Sequence, residues 1–233
     1  MRKLIIAAGL AVSLSACVSA YVGTPYDRAS AGVTDVAMID DALPEKAIAY
    51  EVASVGSNFG LIGALVDAGI QASRQDAVND ALRGVNFDAE KVLEGQISQA
   101  LSAQGYSVAP MPEQARAKRA LLADFPAAPD GADAYLDVHV AAFGYLSPGA
   151  GQPFRPYVEA DVRLVKVTDK SELMKNRILY NPLNPQEGVI TLTANPEYAF
   201  GNRSELLADP NRLAAGIEDA LKQVADTAAG LMR

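Results

Sequence analysis

Residues 157–180 constrain the fold more tightly than any other stretch of this chain. From Tyr157 to Val167 the side chains alternate, with Val158, Ala160, Val162 and Leu164 on one face and Tyr157, Glu159, Asp161 and Arg163 on the other. A period of two is that of a strand with one apolar and one polar face. Thr168-Asp169-Lys170-Ser171 supplies turn chemistry, and Glu172 to Tyr180 returns as a partner, so the spacing predicts an antiparallel hairpin. A hairpin with one apolar face must bury it under a second layer.

Other segments supply that layer and extend the sheet. Asp133 to Tyr145 reads as a strand with Leu136, Val138 and Val140 on one side and Asp137 and His139 on a solvent-facing side. Ala47–Ala53, Tyr106–Val108 and Gly188–Thr193 read as shorter strands. Asp88 to Gln104 is an amphipathic helix: Asp88 caps it, Phe87 staples against Val92, and Gly105 stops it. Asp209-Pro210 starts a second such helix, with Leu213, Ile217, Leu221, Val224, Ala228 and Leu231 along one face. Glu113 to Asp124 reads as a short polar helix whose Arg116, Lys118 and Arg119 form a solvated face. The fold class is therefore α+β: a two-layer sandwich of a mostly antiparallel sheet packed by amphipathic helices.

One further helix is unusual. Gly56, Gly60, Ala64, Ala68 and Ala72 recur every fourth residue and make a smooth stripe, with Phe59, Ile62, Val66 and Ile70 beside it. This glycine-zipper-like pattern lets another helix approach closely. It fits a helix buried against the domain's own sheet, and it also fits an oligomerisation or membrane-inserting helix. Gly56, Gly60, Ala64 and Ala68 are the candidate packing residues. As a bilayer span it is short, at about 16 apolar residues, and it contains Asp67.

Little in the sequence points to catalysis. His139 is the only histidine, so a multi-His metal site is excluded, and no Gly-x-Ser-x-Gly elbow accompanies it. Glu159 and Asp161 share a strand face, but Arg163 continues that face and reads as their neutralising partner. No enzyme activity, cofactor or metal is expected. The formal charge of −8 and the lack of basic clusters argue against nucleic acid as a partner.

The address of the protein is written at its start. Arg2 and Lys3 precede an apolar run from Leu4 to Leu14, followed by Leu14-Ser15-Ala16-Cys17, which contains the only cysteine. This motif resembles the lipobox of bacterial lipoproteins. That resemblance implies cleavage before Cys17 and acylation of its sulfur and new amino terminus. It also implies, with Val18 rather than Asp next, an outer-membrane lipoprotein facing the periplasm, or a plasma-membrane one in a Gram-positive source. Acylation consumes the one thiol, so disulfides are excluded. Removal of Arg2 and Lys3 takes the charge from −8 to −10.

The expected division is a signal peptide over 1–16, a lipid-anchored tether over 17–45, and a single α+β domain over 46–233 that includes the zipper helix at 56–82. The tether reading rests on Gly23, Pro25, Gly32, Asp40, Asp41 and Pro44, with no sustained period. The order of elements, including Ala100-Leu101 and Gly105-Tyr106, resembles Gram-negative envelope lipoproteins such as the outer-membrane activators of peptidoglycan synthases, and the N-terminal domain of the Tol-system periplasmic protein. The lack of catalytic motifs, the acidic surface and two open loops point to a non-enzymatic accessory that binds another envelope protein. The alternative is an oligomer-forming or membrane-perturbing protein assembled through the zipper. Tyr198 and Phe200, on a proline-rich loop, are the candidate partner contacts.

Overall fold

The computed structural model describes residues 20–52, 68–111, 116, 118–149 and 151–233, and the side chains of 68–73 are not among what it describes. The described chain runs α1 (Arg28–Ala31), β1 (Asp35–Met38), β2 (Ile48–Glu51), α2 (Ala68–Gly84), α3 (Ala89–Ala103), β3 (Ser107–Pro110), β4 (Ala134–Ser147), β5 (Arg155–Lys166), β6 (Glu172–Tyr180), β7 (Ile190–Leu192), α4 (Arg203–Ala208) and α5 (Pro210–Gly230). It is an α+β sandwich. One seven-stranded sheet is ordered β3-β1-β4-β5-β6-β7, with β2 also paired to β4.

The antiparallel centre is the part legible from alternation. Strands β4, β5 and β6 pair antiparallel, with Val158, Ala160, Val162 and Leu164 buried on the helix side. The 168–171 turn closes through Ser171, whose N–H is accepted by Asp169 Oδ1 at 2.9 Å. Around this centre the sheet is mixed, because β1 lies parallel to both β3 and β4, β2 parallel to β4, and β7 parallel to β6.

Helix α5 is the main cover of the sheet. Leu213, Ile217, Leu221 and Val224 are fully buried in the same cluster as the inward residues of β4–β6. The Asp209 carboxylate accepts the Arg212 N–H at 3.1 Å and so satisfies one of the free donors of the first turn. Replacing Asp209 by Ala is expected to cost about 1 kcal/mol, read as a melting temperature lower by about 2–4 °C. Helix α3 packs beside α5. Its N-cap Asp88 accepts from Lys91 N, and Leu93, Ile97 and Leu101 are buried. Gly105 takes φ +88, the left-handed stop that glycine tolerates best.

Three expectations are corrected here. The stretch read as a tether is largely part of the domain. β1 sits inside the sheet between β3 and β4, and Val33, Val36, Met38, Ala42 and Leu43 are core residues. Four residues are too few to display a period, and their burial comes from partners distant in sequence. The polar helix read over 113–124 is not helical among its described residues, 116 and 118–124. Its basic face is not wholly solvated either, because Arg116 is buried. Lastly, Asp137 and His139 do point to the face opposite the helices, but both are buried, at 0% and 5% exposure. Residues 118–128, with Met111 and Arg116, cover that face: Phe125 stacks on Tyr135 at 4.6 Å, and the Tyr135 hydroxyl donates to Pro126 O.

Candidate functional site

Two polar constellations stand out, one on each side of the sheet. On the strap-covered side, Asp137 of β4 is the hub. Its Oδ1 accepts Arg116 Nη1 at 2.9 Å, and its Oδ2 accepts Arg163 Nη2 at 2.9 Å and Leu122 N at 2.8 Å. Arg116 spends its remaining donors on backbone. Nε donates to Asp41 O, Nη1 also to Ala120 O, and Nη2 to Val138 O. Arg119 adds a bond to the Asp41 carboxylate at 2.9 Å. Arg163 also donates to Leu122 O. Arg163 thus pairs with Asp137, and it is Arg177 that neutralises Asp161, through two bonds of 2.8 and 3.0 Å. These groups bond to one another and to nearby backbone, which fastens the strap to the sheet, while Arg163 Nε is buried with no partner among the described residues.

His139 lies next to this network. Its pKa is held below the ordinary value, chiefly by burial and then by the nearby Arg116 charge. Its Nε2 is buried with no hydrogen-bond partner among the described residues. It is a neutral core histidine.

On the helix side, Asp40, after β1, meets Glu90 and Glu94 of α3, with carboxylate oxygens within 4.8 Å of one another. Glu90 accepts the N–H groups of Ala42 at 2.6 Å and Leu43 at 2.9 Å, which ties the β1–β2 connection to the helix. Burial raises the Glu90 pKa. Glu94 is pushed up to about 8, first by burial, then by its hydrogen bond to Asp40 and the surrounding acids. Like charges this close resist full ionisation, which adds to the rise at Glu94. The cluster borders an open groove of about 860 Å³ lined by Leu43, Asn79, Leu82, Phe87, Glu90 and Arg119.

The linkage has a definite sign. Glu94 holds its proton above the ordinary value of 4.5, so its stabilising effect is complete below that pH and is lost as pH rises to about 8. His139 acts oppositely, because its depressed pKa costs stability as pH falls below 6.5. Glu94→Gln, which keeps a neutral side chain at every pH, is expected to melt above the wild type at pH 8.5 and level with it at pH 4. Thermal unfolding by circular dichroism at the two pH values checks this.

Of the candidate residues from sequence, Cys17, Gly56, Gly60 and Ala64 lie outside the described residues. Ala68 opens α2, but its side chain is also outside them. The pair expected to contact a partner is corrected in part. Phe200 is 1% exposed, packs edge-on to Tyr145 at 5.5 Å, and lies under the Arg212 guanidinium at 4.4 Å. Tyr198 is half-buried in a 3-10 turn. The Asp137 hub and the Asp40–Glu90–Glu94 cluster were missed from sequence. The only local signal was Glu90 and Glu94 one turn apart on α3, which places them on the same face.

Fold and site together define an α+β sandwich domain with a buried Asp137 ion-pair hub and an acidic open groove. Among the described residues no helix is long and apolar enough to cross a membrane. No protein-family model matches the chain, and no curated protein matches it. A solved structure that is similar is the crystal structure of protein XCC0632 from Xanthomonas campestris, of family DUF330. It is 12% identical, with a TM-score of 0.41, over 91% of this chain and 90% of that one.

Proposed function

We propose that this chain is a lipid-anchored cell-envelope protein, held at the outer membrane facing the periplasm, that acts as a non-enzymatic accessory by binding another envelope protein. The observation that carries this reading is the sequence Leu14-Ser15-Ala16-Cys17 behind a basic flank and a short apolar run. Two or three acyl chains on one residue give stable anchoring, where a single chain binds only reversibly. The engagement of Asp137, Arg116 and Arg163 in holding the strap supports a role in binding over one in catalysis. The acidic groove supports a partner with a basic contact surface.

The test is expression of the full chain in a Gram-negative host. Labelled palmitate is expected to enter the wild type and not Cys17→Ser, and the wild type is expected to fractionate with outer membrane. Crosslinking of the acylated protein in that envelope, followed by mass spectrometry, is expected to capture a protein whose crosslinks map to the groove. Absence of label from the wild type would overturn the anchoring, and crosslinks that avoid the groove would overturn its role.

A further inference from the structure

We infer that the edge of the sheet formed by residues 21–26, β6 and the 181–189 loop is a bilayer-docking surface, so that the domain lies against the membrane instead of standing off it. This rests on the acylation of Cys17 proposed above, and it concerns what that anchor does to the folded body.

The argument begins with where the fold starts. Tyr21 N–H donates to Glu187 O at 3.1 Å. Thr24 and Lys175 exchange both backbone bonds, at 2.7 and 3.0 Å, and Thr24 Oγ1 donates to Glu172 at 2.8 Å. The Arg177 guanidinium lies over the Tyr21 ring at 5.4 Å. Two glycines permit this close approach. A Cβ at Gly188, which has φ +78, would lie 1.8 Å from Tyr21 O, and one at Gly23 would lie 2.6 Å from Asn176 Oδ1. The N-terminal segment is therefore stitched, from its fifth mature residue onward, to the part of β6 that β7 leaves unpaired.

Four residue steps separate Cys17 from Tyr21, which spans at most about 14 Å of chain. A domain of about 200 residues has a radius of gyration of roughly 16 Å. A body of that size on so short a link cannot rise clear of the bilayer, and the stitched edge is the part that faces it. The surface chemistry there agrees. Val22 is 84% exposed, the large apolar side chain that stands out into solvent among the described residues, and it lies five positions from the acylated sulfur. The loop that Tyr21 joins exposes Pro185 and Gln186 together with Glu187. The protein is acidic overall, so attraction to anionic lipid does not drive the contact; the short anchor and exposed Val22 do. The occupant of this surface is the interfacial zone of the lipid bilayer.

The absence of tryptophan makes the test clean. Full-length Val22→Trp, Gln186→Trp and Ser107→Trp proteins, the last on β3 at the far edge of the sheet, are made in an envelope host. Their N-terminal mass is measured, and they are reconstituted into phosphatidylcholine vesicles containing brominated acyl chains. Val22→Trp is expected to lose roughly half its emission, Gln186→Trp a smaller but clear fraction, and Ser107→Trp none, with little dependence on salt. A twelve-residue Gly/Ser spacer inserted after Val18 is expected to abolish the Gln186→Trp quenching. Acylated protein that floats with the vesicles while Gln186→Trp stays unquenched would overturn the docking and leave the anchor intact, and quenching that survives the spacer would overturn the short link as its cause. An unmodified Cys17 in the mass spectrum would remove both.

Discussion

Asp137→Ala is expected to lower the stability of the domain by about 3–5 kcal/mol, the cost of leaving a buried partner charge uncompensated. The Arg116 and Asp137 side chains both have no solvent exposure, and their ion pair is 2.9 Å long. Removal of the carboxylate strands Arg116 in a low-dielectric site and frees Leu122 N and Arg163 as well. Urea unfolding followed by far-ultraviolet circular dichroism measures the loss. Replacing Arg116 by Met and Asp137 by Leu together is expected to recover a large part of it, because a well-packed apolar pair avoids the desolvation cost that the ions incur. Arg163→Lys should cost less, since the Arg163 side chain keeps 18% exposure and water can take over part of its role. A loss below about 1 kcal/mol for Asp137→Ala would mean that the strap is not fastened through this hub.

The second large effect is expected at Gly144. It lies in β4 opposite Ile48 of β2, with φ +134, a backbone angle that side-chain-bearing residues rarely adopt. A Cβ there would sit 2.2 Å from Ile48 O and 2.6 Å from Ile48 N. These contacts are backbone, so no rotamer change relieves them. Gly144→Ala is expected to destabilise by at least about 3 kcal/mol, from the strained angle together with the displacement of β2. Urea unfolding checks the magnitude. Limited proteolysis checks the mechanism, because cleavage should appear near residues 48–52 before the rest of the sheet is cut. An unchanged proteolytic pattern would show that β2 does not depend on this glycine.

The carboxylates at Asp40, Glu90 and Glu94 contribute differently. The Glu94 effect changes with pH, while Asp137 and Gly144 act through the contacts they make between segments. Asp137 links the sheet to a strap about 20 residues earlier, and Gly144 links it to β2, almost 100 residues earlier.

What the amino-acid order determined by itself was whatever repeats locally. The β5–β6 hairpin, the capped α3 and the amphipathic α5 each carry their period and their stops within about 20 residues, so their faces could be read correctly from sequence. What only the tertiary structure decided was which faces stay in water. β1 is buried because β3 and β4 flank it, and its four residues alone read as tether. Asp137 and His139 point away from the helices as alternation requires, yet a strap with no period of its own seals them in. Phe200 reads as a loop aromatic, and Tyr145 and Arg212 enclose it. The physical reason is the same in each case. Local geometry fixes the direction of a side chain, but burial depends on contacts between segments far apart in the chain, and no local window contains both partners.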